Sequence, residues 1–139
     1  RLEVLRADWK PYLTEARRTL KNAPAFQTEE ERSFSELFTE QTAEQLLVYF
    51  VFTYFCGAVY NADAYGKMKF SFAGMILIRE LVRAEWIRNP DITGETLLRT
   101  AWRYAREVEH SDKNKFLMEE LLADEERFGL EDLFSLLLP

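Results

Sequence analysis

The segment LLVYFVFTYFCGAVY, Leu46 to Tyr60, contains no charged residue, and its apolar side chains fall on every side of a helical wheel. A helix of that kind has no face to offer water, so it must be packed among other helices. The nearly uncharged stretch around it, Thr42 to Asn61, is broken by Glu44 and leaves about 15 continuous apolar positions, short of a bilayer span. It reads as a buried core helix, and the rest of the chain must then supply the helices that cover it. Composition agrees: Pro and Gly number only 4 and 5 in 139 residues, and Leu, Glu, Arg and Ala outweigh Val and Ile, a balance that favours helix over strand. No stretch alternates as a strand would.

Local signals divide the chain. Asp8 is a plausible N-cap, with Pro11 tolerated in the first turn and Trp9, Leu13, Ala16 and Leu20 on one face until Pro24. Thr28 followed by Glu29, Glu30 and Glu31 is a capping box that opens a short helix carrying Phe34, Leu37 and Phe38. Thr42, with Gln45 three residues on, opens the apolar helix. Asn61, Ala62 and Asp63 form a turn, and a second central helix runs from about Ala64 to Arg88, where Asn89 and Pro90 stop it. Thr93 caps a helix that reaches about Glu109. His110 and Ser111 make a tight break, a helix carrying Phe116, Leu117, Leu121 and Leu122 follows, and Leu130 to Leu137 closes the chain. The expected fold is all-α: one compact bundle of six or seven helices around two buried central helices. The pattern is already helical at Leu2, Val4 and Leu5 and the first residue is Arg1, so residues 1–139 read as a single domain cut from a longer protein.

Eighteen basic against 24 acidic residues give a formal charge of -6, and no basic run lays a positive stripe along a phosphate backbone, so nucleic acid is not an expected partner. A membrane is not expected either. Cys56 is the single cysteine, which rules out an internal disulfide or a cysteine metal cage and agrees with a reducing, cytoplasmic setting. GxGxxG, GxxxxGK and GxSxG are all missing, so no dinucleotide turn, phosphate loop or nucleophile elbow is available.

Few side chains promise chemistry. Arg79 lies on the stripe Tyr65, Met68, Phe72, Met75, Arg79, Val82, Trp86, and a guanidinium on an apolar face calls for a carboxylate. Glu109 is the expected partner, at the edge of the arc Leu97, Leu98, Ala101, Trp102, Ala105 and Val108; the pair either fixes packing or meets a ligand. His110, the only histidine, is either a general acid or base or a residue that interacts with a helix C-terminus. Its ExxH spacing from Glu107 lacks the second histidine that a di-iron bundle needs. Asp63, Tyr65, Lys67 and Lys69 gather where the two central helices meet, either at a ligand site or as a solvated turn. Cys56, between Phe55 and Gly57 with no base nearby, reads as a small core residue.

Three segments, FTYFCGAVYNADAYGKMKF (52–70), LIRELVRAEW (77–86) and YAREVEHSDKN (104–114), together resemble the C-terminal region of flagellin lysine-N-methylases, over roughly residues 40–120. The resemblance implies a parent protein that methylates lysine ε-amines on flagellin with S-adenosylmethionine as donor, and that carries a cysteine-rich N-terminal region with an iron-sulfur cluster. It implies flagellin and the parent's own N-terminal region as partners. No cofactor is expected within residues 1–139, because a cluster takes four thiolates. The activity belongs to the parent by this likeness, and the domain alone is expected to position substrate, with Tyr65, Arg79, Glu109 and His110 as the candidates. The alternative is a structural or protein-binding bundle in which the same residues only fix packing.

Overall fold

The computed structural model describes residues 3–24 and 28–136, the side chains of Thr28 and Asn61 apart. Every regular element among them is helical: α1 (Trp9–Asn22), α2 (Thr28–Leu37), α3 (Glu40–Phe55), α4 (Ala58–Asn61), α5 (Ala64–Arg88), α6 (Gly94–Tyr104), a π turn (Ala105–Glu109), α7 (Asp112–Leu122), α8 (Glu125–Phe128) and α9 (Leu130–Ser135). Six of these reach ten residues or more, so the all-α bundle expected from the sequence is present.

Helix α5 is the axis. Its N-cap is Asp63, whose carboxylate accepts the Gly66 N–H at 2.8 Å, and its end at Asn89 is extended, as a residue before proline prefers. Lys69 through Met75 are buried without interruption, followed by Ile78, Leu81, Val82, Ala84 and Trp86. Helices α1, α3, α6, α7 and α9 all pack against it. Trp9 and Ala16 of α1 meet Leu81 and Ala84, and Phe34 of α2 lies 5.8 Å from the Trp86 ring.

The other expected core helix is not surrounded. Only Phe50 of α3 is fully buried, while Val48, Tyr49, Phe52 and Phe55 are exposed, Phe52 at 78%. Glu40–Tyr60 is long and apolar enough, by length and composition, to cross a membrane, and little of it is buried. The helix lies at the edge of the bundle, one face on α5 and the other open. Cys56 shares that fate and is exposed rather than a core residue.

Several caps differ from the sequence reading. Asp8 makes no cap bond and faces Arg103 at 3.7 Å instead. Helix α3 starts at Glu40, two residues before Thr42, with Thr39 Oγ1 accepting the Thr42 N–H at 3.1 Å. The capping side chain expected at Thr28 lies outside the described residues. Leu133 is buried and Phe134 packs on Phe72 at 4.5 Å, so α9 closes the core, while the expectation for Leu137 falls outside the described residues.

Candidate functional site

The helix begun at Gly94 keeps α geometry only to Tyr104. Beyond it the ladder widens, His110 N–H reaching Ala105 O at 3.2 Å, and the extra residue in the turn changes the register of everything that follows. π turns of this kind frequently mark functional sites. The buried face also differs from the expected apolar arc, and does so before the π turn begins: Leu98 and Trp102 are exposed, while Thr96, Leu97, Thr100 and Tyr104 are buried, as are Glu107 and Val108 within the turn.

The changed register sets Glu109 against the exposed edge of α3. Tyr49 donates its hydroxyl to Glu109 Oε2 at 2.9 Å, and together with Thr53, Tyr54, His110 and Phe116 the pair lines a pocket of about 520 Å³. Below it Phe50 stands edge-on to Tyr104, centroids 6.0 Å apart, and Tyr54 edge-on to Phe70 at 4.7 Å. Among the described residues the buried hydroxyls of Tyr54 and Tyr104 have no hydrogen-bond partner of normal geometry. Burial, and after it the Glu109 charge, pushes both phenols well above the ordinary value of 10.0. Tyr49 moves the same way, through burial and then its bond to Glu109. All three therefore stay neutral around a carboxylate. The pocket's own lysines are paired with other carboxylates of its lining: Lys67 with Glu119 and Lys115 with Asp112 at 2.7 Å.

The four side chains singled out in the sequence divide among three places. Glu109 and His110 line this pocket, His110 exposed at the end of the π turn. Arg79 does not pair with Glu109; its Nη1 donates to the Leu136 carbonyl at 2.8 Å, and it borders a separate groove beside Phe38 and Met75. The two side chains serve different faces because the changed register points Glu109 toward α3. Tyr65 ties down α8, donating to Glu125 Oε2 at 3.0 Å. Nor is the basic edge of α5 solvated, since Lys69 is 1% exposed and held by Glu125 Oε1 at 2.7 Å.

Over residues 1–136 the chain matches the family described as FliB lysine N-methylase C-terminal domain. The chain belongs to that family. No curated protein and no solved structure matches it. Within this lysine N-methylase C-terminal domain, the residues that sequence reading overlooked are Tyr49 and Tyr54, counted as part of an apolar run, and Glu107 and Asn114, both buried. The available signal was hydroxyls set in a run, Leu46 to Phe55, otherwise without polar side chains. An iron-sulfur cluster does not fit the residues of this domain, because it needs four thiolates and Cys56 is the one cysteine. Among the described residues no three His, Cys, Asp or Glu side chains are grouped to hold a metal. The apolar cleft of about 390 Å³ among Trp9, Leu81, Met118 and Leu133 has charged or hydroxyl-bearing side chains, among the described residues, only in Arg127, Asp132 and Tyr104.

Proposed function

We propose that this domain positions substrate for a protein-lysine N-methylase acting on flagellin in the cytoplasm, and that the pocket of Tyr49, Tyr54 and Glu109 receives the lysine side chain. The observation that carries this reading is a carboxylate bordered by neutral phenols, one of them, on Tyr54, buried beside Glu109 without a hydrogen bond of normal geometry among the described residues. An unsatisfied buried hydroxyl costs about 1–3 kcal/mol, so its retention points to a partner brought by a ligand. A lysine fits in charge and shape. Its ammonium is attracted by Glu109 and its stem lies along the aromatic wall that Phe116 extends. Tyr49 already donates to Glu109, which leaves its oxygen lone pairs free to accept from an amine.

Methyl transfer needs the amine lone pair, so the ammonium must first give one proton to water before the N–C bond can form as the donor's S–C bond breaks. The residues here hold that nitrogen in one place, the contribution that orientation makes to a bimolecular step. S-adenosylmethionine, the donor that the resemblance implies, supplies an electrophilic methyl group; we assign none of these residues to it.

The test is calorimetric titration of the chain with a lysine-bearing flagellin peptide, the same peptide with that lysine acetylated, and the donor alone at up to about 1 mM, near 4 kcal/mol of binding. Binding that acetylation and Glu109→Gln both abolish supports the reading; equal binding of the two peptides sinks it. Donor binding would extend the role to methyl transfer. A second reading, a protein-binding bundle, is favoured by the exposed Val48, Phe52, Phe55 and Val59. It predicts binding indifferent to lysine acetylation and lost on Phe52→Glu.

A further inference from the structure

Glu107 is fully buried, Asn114 is 1% exposed and Ser111 5%, yet the groups they satisfy belong to the segment before α1. Asn114 Oδ1 accepts the Glu3 N–H at 2.6 Å and Asn114 Nδ2 donates to the Glu3 carbonyl at 2.9 Å. Glu107 Oε2 accepts the Leu5 N–H at 3.0 Å. Both main-chain groups of one residue and the N–H two residues on are what an extended chain presents to a neighbouring strand. Two side chains thus stand in for a strand edge. Ser111 Oγ adds a hydrogen bond to the Glu3 carboxylate at 3.2 Å.

We infer that Glu107, Ser111 and Asn114 form a binding slot for the main chain of an extended peptide with an acidic first residue, and that residues 3–5 are its exchangeable occupant. The occupant is weakly anchored by its side chains, Val4 and Leu5 being 45% and 44% exposed, so it opens locally well before the core does. The slot itself is built. Asn114 is locked by its Nδ2 bond to the Glu107 carbonyl at 2.7 Å and by its N–H to Ser111 Oγ at 3.2 Å. Empty, it would leave the buried Glu107 carboxylate facing, among the described residues, only Arg106 Nε, at 3.4 Å. A buried charge short of donors demands another N–H, which any extended chain can bring.

The experiment uses the full chain and a labelled synthetic peptide with the sequence of residues 1–7. Saturable binding followed by fluorescence anisotropy is expected, with the chain's own Glu3 and Leu5 amides exchanging their hydrogens faster once peptide is added. Methylating the peptide nitrogen at the Leu5 position should weaken binding at least ~10-fold, the effect of losing a bond to a charged acceptor. Methylation at the Val4 position, whose N–H meets neither Glu107 nor Asn114, should leave it within a factor of ~3. Because these changes are made in the peptide, folding of the chain is untouched; Asn114→Ala should reproduce the loss. The inference is overturned if the two methylated peptides bind alike, if no peptide binds, or if the Glu3 and Leu5 amides exchange only together with the core of α5.

Discussion

The Tyr49 hydroxyl donates to Glu109 Oε2 at 2.9 Å, joining α3 to the π turn across 60 positions of sequence. The bond is accessible to water, so its worth to the fold is small, and its interest lies in holding a carboxylate among aromatic rings. Tyr49→Phe should cost about 1 kcal/mol or less in urea unfolding, and a double-mutant cycle with Glu109→Gln should give a coupling of about 0.5–1 kcal/mol.

Tyr104 is the counterpart inside the core. Its hydroxyl is buried without a hydrogen-bond partner among the described residues, so Tyr104→Phe should leave stability unchanged or raise it by about 1 kcal/mol, read from the denaturation midpoint.

Alkaline titration probes the same tyrosines. A phenol held above 10.0 in the fold contributes stability that is present below that value and lost as pH rises toward the folded-state value. Phenolate absorbance should show Tyr54 and Tyr104 ionising only as the chain unfolds.

At Gly74 the backbone of α5 lies against the Phe50 ring of α3. A Cβ there would lie 3.2 Å from two Phe50 ring carbons and 3.3 Å from the Tyr104 hydroxyl, and the Phe50 ring is 1% exposed. Overpacking should outweigh the gain in helix propensity, so Gly74→Ala should destabilise by about 1–2 kcal/mol. At Gly94, where an added Cβ meets nothing within 4 Å, the same change should be neutral or gain up to about 1 kcal/mol. Thermal unfolding of the two variants distinguishes them.

Lys69 and Glu125 form a lopsided pair, 1% and 56% exposed at the side chain. Lys69→Met lets Glu125 return to water and should stay within about 1 kcal/mol of the parent chain. Glu125→Gln strands a buried ammonium and should lower the unfolding temperature more. The Lys69 hydrogen bond holds the Glu125 carboxyl below its usual 4.5. Its contribution is therefore present above that pH and lost as pH falls through the lowered value, so the gap between Glu125→Gln and the parent should close in acid.

Helix boundaries were the legible part of this chain. The span of α5 follows from the turn ending at Asp63 and the Asn89–Pro90 stop, and the break at Ser111 opens α7, where its Oγ accepts the Asn114 N–H; these signals act within a few residues. The site was legible only in part. Glu109 and His110 were visible as polar residues beside a helix break, but Tyr49 and Tyr54 were hidden in a run that reads as pure core, and Glu107 in a face that α periodicity turns toward water.

Composition, caps and stop signals by themselves determined that the chain is helical and where most helices begin and end, because those preferences act within a turn or two of backbone. Which faces are buried was decided only by the tertiary structure. An apolar helix has no means of recording whether neighbours will cover two sides or one, and α3 found one. The π turn is of the same kind: a single added residue, stabilised by what Glu107 meets near residue 5 and by the Asn114 bond to its carbonyl, sets which carboxylate is buried and which one faces Tyr49. Those contacts link segments some 60 and 100 positions apart, and their geometry exists only once α5 has gathered the helices around it.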